Sequence, residues 1–190
     1  MNSKFEIRRK IFHIVFGIAI IALALAFSNV KWILFYALVF GILLSILSIF
    51  FRIPVISFML EKFERPHYRK TFPGKGLLFF LAGSLLVLKL FSKDIALASI
   101  AILTFSDPFF SFDKRIFNGM FKIKNIKSVL LGLVAGTIAA SFFVPILKAF
   151  IAAFFAVMVE SIAIFLGTDP VDDNIIMQVT AGTILYILPL

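Results

Sequence analysis

The sequence contains no cysteine, so disulfide bonds and thiolate chemistry are excluded along its whole length. Histidine is also scarce, because His13 and His67 are the only two, and their separation is not that of a zinc site. No set of serine, histidine and aspartate indicates a hydrolytic triad. We find no internal repeat, low-complexity tract or linker in the 190 residues, and therefore expect a single domain over residues 1–190.

Charge is sparse and has one dominant sign. Ten acidic residues stand against nineteen lysines and arginines, which gives a formal charge of +9. Hydrophobic residues make up 62% of the chain and the mean hydropathy is +1.09, above the usual composition of soluble domains. Long apolar runs of this kind indicate membrane-spanning helices. The positive-inside rule and anionic headgroups then explain the basic excess, and we expect no nucleic acid partner.

The apolar runs predict an all-α fold, a polytopic integral membrane helical bundle of about seven spans. We place the spans at residues 11–29, 31–51, 77–91, 95–110, 128–146, 147–166 and 175–190. Between them we expect a polar loop at 52–76, a basic segment at 111–127 and a short acidic loop at 167–174. A cleaved signal peptide, with cleavage near Ala24-Leu25-Ala26, is the alternative for the first run.

The distribution of lysine and arginine predicts the orientation. With the N-terminus in the cytoplasm, fifteen of these residues fall on inside segments and four on outside segments. In this topology the polar residues of the chain gather on one side of the membrane. We therefore expect a multi-pass membrane protein whose active face is cytoplasmic.

Asp107 and Glu160 are carboxylates inside apolar runs. Asp107 lies in the segment Leu103–Phe109 and is followed by Pro108, which we expect to break the helix. An ionised group at the centre of a bilayer costs about 3 kcal/mol on insertion scales, so both carboxylates should face protein or water. A functional site is one interpretation, and a buried ion pair with lysine or arginine is the other.

Four of the predicted spans begin on the cytoplasmic side, where helix N-termini offer free backbone N–H groups to anions. Three of these starts carry cations and the fourth carries oxygen ligands of the kind that Mg²⁺ prefers. In chain order they are Arg8-Arg9-Lys10, Gly74-Lys75-Gly76, Lys127-Ser128 and Asp172-Asp173-Asn174. Together they indicate phosphoryl or nucleotidyl transfer. The alternatives are a topology signal for the first, a loop-to-helix turn for the second, and a helix cap for the last.

These segments resemble, in order, the motifs of a known family. Arg9-Lys10, His13 and Gly17 resemble an Arg-Lys-x-x-His-x-x-x-Gly start, and Gly74-Lys75-Gly76 resembles a Gly-Lys-Gly segment. The later matches are Ser106-Asp107-Pro108, Lys127-Ser128, and Glu160 followed by Asp173-Asn174. The family is the dolichol kinase and phytol kinase group with the CTP-dependent diacylglycerol kinases, related more distantly to phosphatidate cytidylyltransferases.

The resemblance implies a CTP-dependent kinase that phosphorylates a membrane lipid alcohol, such as a polyprenol or a diacylglycerol, with Mg²⁺ as cofactor. It implies catalytic roles for Asp107, Glu160 and His13, and metal binding by Asp107, Asp173 and Asn174. The residues implied for nucleotide phosphates are Arg8, Arg9, Lys10, Gly74, Lys75, Gly76, Lys127 and Ser128.

Two positions depart from the family pattern. Asp113 replaces a glycine before the basic pair Lys114-Arg115, and the Glu-Gly expected after Lys127-Ser128 is absent.

Two other functions remain open at this point. A nucleotidyltransferase that makes a CDP-lipid from a phosphatidate-like lipid would use the same residues. A transporter would use intramembrane carboxylates, but carriers commonly show internal repeats and polar residues along a path to both faces. Small residues between Gly132 and Ala140 permit close helix packing within one chain or in a homo-oligomer.

Overall fold

The structure is a computed structural model that describes residues 3–110, 116–118, 121–123, 126–160, 165–166, 169–170 and 172–188. Helices account for most of these residues, which confirms the prediction of a helical fold. In chain order they are α1 (Ser3–Ala26), α2 (Val30–Phe50), α3 (Pro54–Phe63), α4 (Tyr68–Thr71), α5 (Lys75–Leu90), α6 (Lys93–Phe110), α7 (Ile126–Ala140), α8 (Ile146–Glu160) and α9 (Asp173–Ile187). Two short antiparallel pairs complete the described elements: β1 (Ile116–Asn118) with β2 (Phe121–Ile123), and β3 (Phe165–Leu166) with β4 (Asp169–Pro170).

Within the part of the chain that the structure describes, two helices are long and apolar enough to cross a membrane, judged by length and composition. They are Lys4–Ala26 within α1 and Val30–Phe50, which is α2, with 23 and 21 residues. Helix α7 is apolar but shorter. A helix occupies part of each of the seven predicted segments. The count of seven membrane crossings and the orientation of the N-terminus stay predictions.

Three predicted boundaries are wrong. The predicted polar loop at 52–76 contains α3 and α4, because Pro54 at the first helical turn starts a helix whose apolar residues recur at helical spacing. The predicted sixth span reaches residue 166, but β3 is extended there, next to Gly167 and ahead of Pro170, which both disfavour helix. The predicted basic segment at 111–127 includes the strands β1 and β2 and the start of α7.

Two prolines act differently from expectation. Helix α7 ends at Ala140, six residues before the predicted end of its span at residue 146, and residues 141–144 form a turn and a bend ahead of Pro145, which has no backbone N–H to donate. Pro108, by contrast, lies inside α6 and does not stop it before Phe110. The missing N–H of Pro108 deprives only the carbonyl of Thr104 of its helical donor, and this occurs in the last turn.

Helix α6 is the centre of the bundle. It packs against α1, α7 and α9, and less extensively against α5 and α8. Its residues 96–98 and 100–103 are almost completely buried and belong to the hydrophobic core. Since Asp107 follows this buried stretch by one turn, the central helix carries the carboxylate to one end of the bundle.

Glycines set the distance between α6 and its neighbours. A methyl group at Gly17 of α1 would overlap the side chain of Thr104 of α6. A methyl group at Gly136 of α7 would overlap Ser106, whose hydroxyl donates to the carbonyl of Gly132 at 2.8 Å. Small residues allow helix backbones to approach closely. These two contacts therefore fix α1 and α7 against α6 next to Asp107.

The outward faces of several helices are apolar. On α2, Tyr36, Phe40 and Phe50 are exposed by 65%, 61% and 74%. Large hydrophobic side chains are also exposed on α1, α7 and α8. Continuous exposed apolar surface of this extent marks contact with lipid or with another protein.

Candidate functional site

A cavity of about 450 Å³ opens at the end of the bundle where Asp107 lies. The first half of α1, the second half of α2, α3 and the start of α5 form most of its wall. The last residue of α8 and the first residues of α9 complete it. Its volume falls within the range of about 300–1,000 Å³ that is usual for ligand pockets.

Most of the residues predicted from the sequence meet at this cavity. Those that line it are Arg9, Lys10, His13, Gly74, Lys75, Gly76, Asp107, Glu160, Asp173 and Asn174. They come from the segments that the sequence analysis selected at the starts of α1, α5 and α9, and at the ends of α6 and α8. Arg8, Lys127 and Ser128 do not line the cavity, and Arg8 and Lys127 are exposed. Asp113, where the sequence departs from the family pattern, lies outside the described residues.

The lining of the cavity combines charged and apolar side chains. The apolar ones come from α1, α2, α3 and α5, among them Phe12, Phe16, Leu44, Leu60, Phe63 and Phe80. Phe12 of α1 stacks on Phe63 of α3 with ring centroids 4.6 Å apart, and the ring of Phe80 lies 4.9 Å from that of His13. A ligand that fills the cavity would thus contact both charged groups and hydrocarbon.

His13 and Asp107 face each other across the contact between α1 and α6. The distance from Nδ1 of His13 to Oδ2 of Asp107 is 3.8 Å. Both side chains are largely buried, with 16% and 27% of their surface exposed. Among the described residues, Nε2 of His13 is buried and has no hydrogen-bond partner. This nitrogen can accept or donate one hydrogen bond that no described residue supplies.

The Gly74-Lys75-Gly76 segment forms the start of α5. Gly74 caps the helix in the left-handed backbone conformation with φ of 76°, which residues other than glycine rarely adopt. A methyl group at Gly76 would meet no atom within 4 Å. The ammonium group of Lys75 lies 4.7 Å from the ring centre of Tyr68 and 5.7 Å from that of Phe79. The backbone N–H of Lys75 donates to the carbonyl of Phe72 at 3.2 Å. The start of a helix beside a lysine and open space suits an anionic ligand.

The acidic segment at the start of α9 also lines the cavity. Asp172 caps α9 by accepting the backbone N–H of Asn174 at 3.1 Å, so the interpretation as a helix cap is correct for this residue. The side-chain amide of Asn174 donates to Asp172 at 2.7 Å and to the carbonyl of Gly76 at 3.3 Å. Asn174 thus connects the N-termini of α5 and α9.

A buried polar network continues this connection into the bundle. Gln178 is fully buried, and its amide donates to the carbonyls of Phe80 and Asn174 at 3.3 and 3.2 Å. Ser84 donates to its side-chain oxygen at 3.1 Å. Gln178 was not among the site residues predicted from the sequence. Its position as a polar residue in an apolar run, one helical turn after Asn174, would have indicated a buried partner or a function.

Arg65 and Glu64 are further cavity residues that the sequence analysis did not select, because they lie in a segment expected to be a loop. Arg65 lines the cavity, and its Nε is buried without a hydrogen-bond partner within the described part of the chain. It lies near enough to Arg9 for the two positive charges to repel each other. Arg9 in turn forms an ion pair with Glu6 at 3.0 Å. Two neighbouring guanidinium groups at one cavity favour an anionic ligand such as a phosphate.

Two carboxyl groups at the cavity have raised pKa values. Burial raises the pKa of Glu64, against the opposing effects of the Arg65 backbone N–H and of the positive charges of Arg65 and Arg9. Burial also raises the pKa of Asp172, against the hydrogen bonds that it accepts from Asn174. Each group therefore keeps its proton in the folded protein at pH values where it would be ionised in the unfolded chain.

We expect these two groups to make the folded protein less stable as the pH rises. Loss of stability should begin at their ordinary pKa values of 4.5 and 3.8 and end above their raised values, because the folded state binds more protons in this window. Replacing Glu64→Gln and Asp172→Asn together should reduce this dependence, and asparagine remains a good helix cap. Thermal unfolding in detergent across a pH series measures the effect.

The exposed residue Glu61 provides the control for this experiment, since Glu61→Gln should leave the pH dependence unchanged. If the double variant keeps the full pH dependence of the unmodified protein, the two carboxyl groups are not its source.

The oxygen donors at the cavity fit Mg²⁺ only in a limited sense. Asp107, Glu160, Asp173 and Asn174 all line it. Within the described residues, however, no three histidine or acidic side chains are grouped closely enough to hold a metal ion. Mg²⁺ commonly uses one or two carboxylates and takes its other ligands from water and substrate phosphates. An all-protein metal cage is therefore not present among the described residues, and any Mg²⁺ would need ligands from water and substrate phosphates.

No family model matches the chain, and neither the search of curated proteins nor the search of solved structures found a match.

Proposed function

We propose that the protein is a CTP-dependent kinase that transfers the γ-phosphate to a membrane lipid alcohol of the polyprenol or diacylglycerol type at the cytoplasmic leaflet. The observation that carries this proposal is the composition of the cavity. Cations, carboxylates and helix N-termini from five separate segments line one cavity together with aromatic and aliphatic side chains. A phosphate donor and a lipid acceptor require this combination.

The exposed apolar surface supports the location in a membrane. Helices α1 and α2 have the length and composition of membrane spans, and their outward faces present large apolar side chains. We propose that α5 to α9 complete a bundle of seven spans with the N-terminus in the cytoplasm. The excess of lysine and arginine on the inside segments supports this orientation. The cavity would then open at the cytoplasmic interface, where CTP is available.

In this proposal the cations that line the cavity bind the phosphates of CTP. These cations are Arg9, Lys10, Arg65 and Lys75, and the N-terminus of α5 adds backbone N–H groups. Asp107, Asp173 and Asn174 would hold Mg²⁺ together with the phosphates. When bound, Mg²⁺ would neutralise the charge on the phosphate oxygens. Arg8, Lys127 and Ser128, which lie outside the cavity lining, are left without a direct role.

The lipid hydroxyl would lie next to His13 and Asp107, with its hydrocarbon against Phe12, Phe16 and Phe63. The hydroxyl oxygen forms a bond to the γ-phosphorus while the bond from this phosphorus to the bridging oxygen breaks, and CDP leaves. His13 or Asp107 accepts the hydroxyl proton, and buried Glu160 supports this end of the site. Phosphoryl transfer mainly requires that the reactants are positioned and that the charge on the phosphate oxygens is stabilised, and these residues could supply both.

The direct test uses purified protein, Mg²⁺ and CTP labelled in the γ-phosphate, with a panel containing a polyprenol and a diacylglycerol. Label in the lipid is the expected result, and it identifies the acceptor class at the same time. Release of labelled pyrophosphate with phosphatidate as acceptor would indicate the nucleotidyltransferase instead. The absence of transfer to any lipid by folded protein would overturn both enzymatic proposals.

Replacing Arg65→Gln is expected to raise the KM for CTP about 10- to 100-fold, the usual value of one charged hydrogen bond. Arg69→Gln is the matched control. Arg69 does not line the cavity, and it donates to the carbonyls of Glu64 and Glu61 at 2.9 Å each. The substitution Arg69→Gln should lower thermal stability and leave the KM for CTP unchanged. Equal KM changes in the two variants would contradict a phosphate-binding role for Arg65.

A further inference from the structure

Helix α3 is amphipathic and has no buried residue. Ile56, Leu60 and Phe63 lie on the side that lines the cavity. Away from this side, Phe58 is exposed by 58%, and Val55 at the rim of the cavity is exposed by 73%. The helix therefore separates the cavity from the surroundings of the protein and presents apolar side chains in both directions.

The position of α3 in the chain limits what can surround it. Helix α2 ends at Phe50, and α3 begins at Pro54. Phe50 and Phe51 at this junction are exposed by 74% and 64%. If α2 crosses the bilayer, whatever covers its outward face must continue over the start of α3. That places α3 at the membrane–water boundary, where amphipathic helices lie in the plane of the interface.

The charges of residues 51–72 complement one kind of interface. The segment contains five basic and two acidic residues. Arg65 faces the cavity, and Arg69 is bound to the carbonyls at the end of α3. Arg52, Lys62 and Lys70 remain, and within the described part of the chain none of these three forms an ion pair. Lys62 instead lies over the ring of Phe58, 5.6 Å from its centre, so that a cation and an apolar anchor are presented together.

We propose that Arg52, Lys62 and Lys70 form a binding surface for anionic phospholipid headgroups, with Phe51, Val55 and Phe58 as the adjoining apolar anchors. Basic residues beside a membrane helix attract anionic lipid, and amphipathic helices with aromatic anchors insert to the level of the headgroups. The proposal requires that α2 spans the membrane. It does not depend on the enzymatic activity proposed above.

The absence of cysteine allows a test in the full-length protein. Ser57→Cys places a single thiol on α3 for an environment-sensitive fluorophore. The labelled protein is reconstituted in phosphatidylcholine mixed with phosphatidylglycerol, with bromine as quencher on one lipid or the other. We expect stronger quenching by brominated phosphatidylglycerol than by brominated phosphatidylcholine. The preference for phosphatidylglycerol, here called the selectivity, should fall about fivefold for each cation removed.

In the triple variant Arg52→Gln, Lys62→Gln, Lys70→Gln, the two brominated lipids should quench the fluorophore equally. The matched control replaces three exposed lysines elsewhere, Lys31→Gln, Lys89→Gln and Lys93→Gln, and should keep the selectivity. High salt applied to the protein with its cations intact should also reduce the selectivity, since exposed charges are screened. This second measurement does not depend on the folding of any charge variant.

Three results would overturn the proposal. The first is equal quenching by the two lipids in the protein with its cations intact. The second is selectivity that survives both the triple substitution and high salt. The third is the absence of quenching by either lipid, which would place α3 away from the membrane.

Discussion

Replacing Asp107→Asn is expected to lower the rate of phosphoryl transfer about 10²- to 10⁴-fold, the usual contribution of a positioned acid or base. Asparagine keeps the shape of the side chain and removes its charge. The position lies at the end of the buried central helix α6, where Oδ2 is 3.8 Å from Nδ1 of His13. The substitution should leave folding intact, because the side chain is 27% exposed and asparagine has nearly the same size.

The measurement is the single-turnover rate at saturating CTP, together with the melting temperature of the same preparation. Asp94→Asn is the matched control, since Asp94 lies in the first turn of the same helix and is exposed. It should retain full activity. A rate in Asp107→Asn close to that of the unmodified protein would remove Asp107 from the site and leave the cavity without its proposed base or metal ligand.

The sequence was sufficient to predict α1, α2 and α5 to α9, because long apolar runs are visible without a structure. It was also sufficient to select Asp107 and Glu160, because a carboxylate in an apolar run requires a partner or a function. The starts of α5 and α9 were selected for similar reasons. A run of glycine and lysine, or of aspartate and asparagine, is unusual beside an apolar helix.

The contributions of α3 and of Arg65 could not be predicted in the same way. Charge and proline in residues 52–76 are typical of a loop, and only packing against Phe12 shows which side of the short helix faces the cavity. Arg65 was one of several cations counted for orientation. Its direction into the cavity, unlike that of Arg69, is a tertiary property that no local pattern contains.

The distances between helices could not be predicted from the sequence either. Gly17 was noted as part of a motif, but its role in packing depends on Thr104, 87 residues later in the chain. The glycine permits contact between α1 and α6 one turn deeper in the bundle than His13 and Asp107. The separation of these two side chains is therefore set by a residue that does not touch the cavity.

Replacing Gly17→Ala is accordingly expected to impair both stability and activity. The new methyl group would overlap the hydroxyl and methyl groups of Thr104, and overpacking of this kind costs about 1–3 kcal/mol. Relief of the overlap by separation of α1 from α6 would move His13 away from Asp107. A displacement of ~1 Å at reacting groups lowers rates about 10²-fold. The measurements are thermal unfolding in detergent and the turnover number at saturating CTP.

Gly76→Ala is the matched control for Gly17→Ala, because a methyl group at Gly76 meets no atom within 4 Å. The protein should remain as stable or gain up to about 1 kcal/mol from the higher helix propensity of alanine. Its defect should appear in KM for CTP, since the methyl group would occupy space at the start of α5 where the phosphates are proposed to bind. Adding Thr104→Ala to Gly17→Ala should recover part of both losses, because it removes the two overlapping groups of Thr104. If Gly17→Ala alone is as stable and active as the unmodified protein, the contact between α1 and α6 does not control the geometry of His13 and Asp107.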